Sequence, residues 1–114
     1  MRIDTRDAGS VRVISCHGQM TLDAGADAMM RACDVALDDG ARSLVVDLTT
    51  LSFLDSAGVG ALVASAKHAG DRGAVMRIAL PASGVVPRIF EITQLDRAFE
   101  VFTGVDEAVR SFRT

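Results

Sequence analysis

The sequence predicts an α/β fold, a mixed and mainly parallel β-sheet of about five strands with about four α-helices packed against it. Three observations lead there. Segments rich in β-branched residues alternate with segments whose apolar residues recur at helical spacing, in the order strand, strand, helix, strand, helix, strand, helix, strand, helix. Strand–helix–strand units cross over right-handed and leave neighbouring strands parallel, while an opening strand–turn–strand adds one antiparallel pair. Ser43 to Leu48 is an apolar run without alternation, closed by Asp47, which suits a strand that is central or covered on both faces.

Each element follows from local chemistry. Met1 to Thr5 reads as an edge strand, and Asp7-Ala8-Gly9-Ser10 as a turn, because Asp, Gly and Ser offer local hydrogen bonds and tolerate positive φ. Val11 to Cys16 is β-branched and completes a hairpin, with Gly18 expected to end it. Thr21 to Asp39 reads as a helix. Leu22, Met29 or Met30, Cys33, Ala36 and Leu37 form its apolar stripe, Thr21 or Asp23 its N-cap, and Gly40 its stop. After the Ser43–Leu48 strand and a short turn, Ala57 to Ala69 carries Val59, Leu62, Val63 and Ala66 at i, i+3, i+4 and i+7, and Gly70-Asp71-Arg72-Gly73 breaks it. Val75 to Leu80 is the next strand. Pro87 suits the first turn of a third helix, where its missing N–H costs nothing, and Ile89, Phe90, Ile92 and Leu95 supply its apolar contacts. Ala98 to Phe102 is a short strand, and Val105 to Phe112 a last short helix.

Composition sets the outer bounds. A chain of 114 residues fits one domain, residues 1–114. An apolar share of 49% supports a packed core and argues against disorder. A net charge of −3 lacks the basic face that direct nucleic-acid binding needs. The N-terminal residues lack the apolar core of a signal peptide, and no run approaches the roughly 20 apolar residues of a membrane helix, so a cytoplasmic protein without membrane contact is expected. Cys16 and Cys33 have no C-x-x-C spacing, and His17 and His68 do not complete a ligand set. Two reduced, partly buried thiols, no metal and no cofactor are the expectation.

The chemistry concentrates in Val45 to Gly60, read as a buried strand, a short turn and a serine at the start of a helix. Nucleophilic catalysis by Ser56 needs an adjacent base, and nothing in the spacing places His17 or His68 there. Leu54 stands where a nucleophile elbow needs glycine, and no Lys-Ser or Lys-Thr follows Gly58-Val59-Gly60 as a phosphate loop requires. An enzyme is therefore not expected. Asp55 and Ser56 are both good helix caps, so one of them caps whatever else the pair does. Gly58 and Gly60 each weaken a first helical turn, by up to about 1 kcal/mol relative to Ala, which points to close packing or close approach by another backbone.

These residues carry a resemblance. Asp47-Leu48-Thr49-Thr50-Leu51-Ser52-Phe53-Leu54-Asp55-Ser56-Ala57-Gly58-Val59-Gly60 resembles the signature of a STAS domain, and within that family of the stand-alone anti-sigma factor antagonists of bacteria. A weaker match runs over Arg88 to Asp96, with Phe99 and Val101 following. The resemblance implies a STAS fold with helices mainly on one face, and a partner-switching role. The unmodified protein would bind an anti-sigma factor that is also a serine kinase, freeing a sigma factor. Phosphorylation at Ser56 would switch it off, and a metal-dependent serine phosphatase would restore it. Thr21, Asp23, Asp55, Ser56, Ala57, Gly58, Val59 and Gly60 are the partner-binding residues so implied, in a monomer or weak dimer. Gly18-Gln19-Met20-Thr21 departs from the family's Gly-Glu-Leu-Asp, so Thr21 stands where the family has an acid, with Asp23 two residues on to substitute for it. Two other STAS roles stay open: a subunit of a stress-sensing assembly, and a partner of a lipid-transport or sensor system in which Ser56 is only a cap.

Overall fold

A computed structural model describes residues 1–113. The sheet begins as a hairpin, in which β1 (Arg2–Ala8) and β2 (Val11–Met20) pair antiparallel from Arg2 opposite His17 to Ala8 opposite Val11. Gly9 turns the chain at φ 63°, a conformation open to a residue without Cβ. Helix α1 (Ala26–Asp38) then crosses to β3 (Ser43–Asp47), which runs parallel to the first half of β2. A short β4 (Leu51–Leu54) continues from β3 and lies parallel to the last residues of β2. Helix α2 (Ser56–Asp71) leads to β5 (Val75–Leu80), parallel to β3. Helices α3 (Val85–Ile92) and α4 (Leu95–Ala98) lead to β6 (Val101–Thr103), parallel to β5, and α5 (Val105–Arg110) follows. The spatial order is β1-β2-β3-β5-β6, with β4 beside β2.

The two faces of the sheet are read from strand alternation. Ile14, Cys16 and Met20 of β2, with Leu44 and Val46 of β3 and Ile78 of β5, point to one face and meet Met29, Cys33 and Leu37 of α1, Leu62 of α2 and Phe90 of α3. Val11, Val13, Val45 and Ala79 point to the other face, where Ala108 and Val109 of α5 cover them. The run Leu44-Val45-Val46 is apolar throughout because both faces are covered. Each fully buried Leu or Ile contributes roughly 1.5–3 kcal/mol relative to exposure, so the larger face dominates stability. The first four helices lie on that face and α5 alone on the other.

The observed sheet has six strands rather than five, and five helices rather than four, among the described residues. The additional strand is Leu51–Leu54, too short to show a period in the sequence. Strand β2 does not stop at Gly18. The register shifts between Gly18 and Gln19, and the strand runs on to Met20 to pair with β4. Helix α1 starts at Ala26, not Thr21. Its N-cap is Gly25, in the left-handed region, and neither Thr21 nor Asp23 caps it. Leu22, counted in the apolar stripe, therefore lies outside the helix and is 77% exposed, while Met29 rather than Met30 is the buried methionine. Ile92, expected as an apolar contact of α3, is 74% exposed. Ala98 closes α4 instead of opening a strand.

Cys16 and Cys33 are free and buried in the larger core. Burial, which disfavours the thiolate, pushes each thiol up to about 12, with Cys33 adding to the effect on Cys16 and a hydrogen bond from Ser65 opposing it at Cys33. The thiolate is the reactive form. In native protein at about pH 8, both cysteines are expected to resist iodoacetamide, and both to be alkylated once urea unfolds the chain, as read by intact mass. Rapid native labelling of either one would overturn this placement.

Candidate functional site

The site is assembled where β2 and β4 end and α2 begins. Asp47, at the end of β3, is buried and sets the corner. Its carboxylate accepts hydrogen bonds from Ser15 Oγ at 2.8 Å, from the Thr49 backbone N–H at 2.9 Å and from Thr49 Oγ1 at 2.6 Å. An aspartate that bonds the backbone two residues on makes a local turn. That turn brings Leu51–Leu54 alongside β2, where Ser52 Oγ donates to the Gly18 carbonyl at 2.9 Å. The Asp55 backbone N–H then donates to the Met20 carbonyl at 3.2 Å.

Asp55 is the N-cap of α2. Its backbone is extended at φ −97°, and one carboxylate oxygen accepts from the Gly58 N–H at 3.0 Å. The other accepts from the Leu22 N–H at 3.2 Å, across the gap to the segment after β2. The Gly58 N–H, joined by those of Leu22 and Ala57, holds the Asp55 carboxyl below its ordinary value against an opposing effect of desolvation. The choice between Asp55 and Ser56 as cap, open in the sequence, thus falls to Asp55.

Gly58 is the second fixed point. It is buried, and a Cβ there would overlap the Met20 carbonyl oxygen and stand 3.0 Å from Leu54 Cβ. The first turn of α2 is pressed onto the ends of β2 and β4, and only glycine allows it. Of the two reasons the sequence offered for a glycine here, close packing within the protein accounts for Gly58. Gly60 differs: it is exposed, and a Cβ there would meet nothing within 4 Å. Ala57 and Val59 are half-buried, and Val59 packs against the core.

Ser56, the first residue of α2, is exposed, and its hydroxyl has no hydrogen-bond partner among the described residues. Beside it lies the segment Thr21–Gly25. The Thr21 N–H donates to the Ala24 carbonyl at 2.6 Å, and the Ala24 N–H reaches Thr21 Oγ1 at 3.2 Å, so the segment is a tight turn rather than helix. Asp23 is exposed on it. Thr21, Asp23, Asp55 and Ser56 are thus brought to one end of the sheet. Leu22 belongs with them and escaped sequence reasoning. Its backbone is tied to Asp55 while its side chain stands in solvent, and the signal for it was the pair Thr21 and Gly25 framing a turn. Phe53, 40% exposed on β4, is a second apolar neighbour in this segment of chain.

Neither histidine stands beside Ser56. His17 is held between Asp4, at 3.0 Å, and Thr50. His68 lies three turns further along α2, roughly 18 Å away at helical rise, and faces Asp34 at 3.7 Å. Among the described residues no group of three or more His, Cys, Asp or Glu could hold a metal ion, and no helix is long and apolar enough to cross a membrane.

The STAS domain model matches residues 2–108. The chain belongs to the STAS domain family. It is 28% identical over 112 residues to the anti-sigma-F factor antagonist RsfB of Mycobacterium tuberculosis, covering 97% of this chain and 88% of that protein. The crystal structure of an anti-sigma factor antagonist from Mycobacterium paratuberculosis superposes with a TM-score of 0.88 at 25% identity, covering 99% of this chain and 94% of the other. The phosphorylated form of the Bacillus cell fate determinant SpoIIAA shares the fold, with a TM-score of 0.71 at 20% identity over 98% of this chain and 100% of that one.

Two outcomes test the STAS helix start. Gly58→Ala is expected to destabilise by roughly 1–3 kcal/mol, the cost of overpacking, whereas Gly60→Ala is expected to be neutral or to stabilise by up to about 1 kcal/mol; urea denaturation curves measure both. The Asp55 carboxylate should also leave a pH signature. A depressed folded pKa contributes stability that is present above the unfolded pKa and is lost as pH falls through the folded one. Asp55→Asn keeps a good cap without the charge. The wild type should exceed this variant in stability near neutral pH, and the gap should close in acid; a gap that does not change with pH would contradict the assignment.

Proposed function

We propose that this single-domain STAS protein is a cytoplasmic anti-sigma factor antagonist that acts by binding rather than catalysis. It docks on an anti-sigma factor with serine kinase activity through the surface around Ser56, and phosphorylation of Ser56 ends the interaction. A metal-dependent serine phosphatase restores the binding form. The observation that carries this reading is the Ser56 hydroxyl itself, exposed and unbonded on a helix start that Asp55 and Gly58 hold rigid. Similarity to anti-sigma factor antagonists supports it.

The physics of the switch follows from the cap. A phosphoserine carries about −1.5 to −2 charges at neutral pH. A helix N-terminus ordinarily welcomes an anion through its free N–H groups. Here the Asp55 carboxylate already accepts from the Gly58 N–H. A phosphate on Ser56 meets a like charge next door and stays turned toward solvent, so the fold need not change. The effect lies across the interface. Burying an unpaired dianion costs several kcal/mol, and about 4 kcal/mol separates a nanomolar from a micromolar complex. Leu22, Thr21 and Asp23 flank the serine on one side, and Gly60 leaves the next turn of α2 open to close approach.

Incubation with a cognate anti-sigma kinase and ATP should add one phosphate, located on Ser56 by peptide mass spectrometry, with an unchanged circular dichroism spectrum. Because Asp55 is the cap, Ser56→Ala should keep both stability and kinase binding. Ser56→Asp should weaken binding by about tenfold or more, as a like or unpaired charge in an interface does. Gly60→Leu and Leu22→Ala should weaken binding in folded protein. Undiminished binding by Ser56→Asp, or phosphate on another residue, would sink the reading.

A further inference from the structure

A second site lies at the other end of the sheet. Arg6 and Ala8 of β1, with Asp106, Val109 and Arg110 of α5 and Arg113 beyond it, line a hollow of about 210 Å³. Val109 and Ala8 belong to the smaller core face, so the floor is apolar and fixed. The rim carries three guanidinium groups against one carboxylate, in a chain whose net charge is −3. None of the three has an ion-pair partner among the described residues. The ion pairs there take up Arg2, Arg12, Arg72 and Arg77 instead. Three like charges against a single carboxylate leave a net positive charge that repels itself, and an anion between them removes that repulsion.

We propose that this hollow binds a small, multiply charged oxyanion of the phosphate class. The guanidinium fork matches phosphate geometry and donates paired, charge-assisted hydrogen bonds. Three forks suit a tetrahedral anion better than a monocarboxylate, which one fork already satisfies. Size sets the upper limit. Pockets for drug-sized ligands begin at about 300 Å³, so the hollow takes inorganic phosphate or the phosphate end of a small molecule rather than a whole nucleotide. Asp106 on the rim disfavours a bulky or diffuse anion near its side.

The site is remote from Ser56. Arg6 pairs opposite Val13, whereas Leu54, two residues before Ser56, pairs opposite Met20. Seven residues of extended β2 separate those levels, roughly 23 Å at strand rise. The hollow also opens on the face that α5 covers, while α2 packs on the other. Oxyanion binding is therefore independent of the state of Ser56.

Amide NMR titration of the full chain with inorganic phosphate at low ionic strength tests this. Saturable shifts centred on Arg6, Ala8, Val109 and Arg110 are expected, with acetate weaker and chloride at equal ionic strength without effect. Arg6→Gln and Arg110→Gln, both at exposed positions, should each raise the dissociation constant by about tenfold or more, the scale of one lost hydrogen bond to a charged group. Thermal melts confirm that both variants are folded, and Ser56→Ala should bind phosphate like the wild type. Non-saturating shifts, the same shifts with chloride, or folded variants that bind as tightly as wild type would each overturn the proposal. None of those results bears on kinase binding through Ser56.

Discussion

The geometry of the Ser56 region depends on the contact between the start of α2 and the end of β2. The Met20 carbonyl accepts the Asp55 N–H and at the same time forbids any side chain at position 58. Asp55 completes the clamp by holding Gly58 within its own helix and Leu22 on the neighbouring segment. Four residues from two parts of the chain are thereby locked. The serine between Asp55 and Gly58 has no freedom of its own except at χ1. Its exposure is a consequence of the packing beneath it, because the first turn of a helix pressed inward at its third residue must turn its first outward.

A rigid frame suits a reversible covalent switch. If the helix start were soft, a phosphate could be absorbed by local rearrangement, with free N–H groups turning to meet it. Here the cap has taken the Gly58 donor and the glycine leaves no slack. Charge added at Ser56 is displayed rather than buried. In the proposed switch, partner discrimination would then follow from electrostatics at the contact, with no conformational relay through the domain. The exposed Leu22 fits the same picture, since an apolar side chain held in solvent by a backbone hydrogen bond gains contact only when another surface covers it.

Much of this was legible in the sequence, for identifiable reasons. Strands β3 and β5 declared themselves by apolar runs that tertiary packing reinforces, as in Leu44-Val45-Val46, covered on both faces. The period of helix α2 was right at Leu62, which is buried, and wrong at Val63, which is 48% exposed. The motif from Asp47 to Gly60 announced a strand, a turn and a helix start. What escaped was decided by long-range contacts. β4 has four residues and is a strand only because the end of β2 lies beside it. Leu22 sits at a helical spacing from Met29, yet the Thr21–Ala24 hydrogen bonds and the left-handed Gly25 stop the helix short of it. Gly58 and Gly60 look alike in sequence, and only the position of the Met20 carbonyl distinguishes a glycine that the fold requires from one that it merely tolerates.

The charge distribution gives the two ends of β2 opposite characters. At the carboxyl end, Asp23 and Asp55 surround the serine, so the unmodified site is already weakly anionic and a partner suited to it must present cations or donors. Under the proposed switch, a phosphate on Ser56 would add to that negative charge. At the other end, unpaired arginines gather over an apolar floor, so the local field has the opposite sign. Exposed charges farther apart than about 8–10 Å are largely screened at physiological salt. Two sites at opposite ends of a strand, on opposite faces of the sheet, are therefore electrostatically separate. A change at one can be read without disturbing the other, and any coupling between them has to pass through the packed sheet, whose interior leaves little room to move.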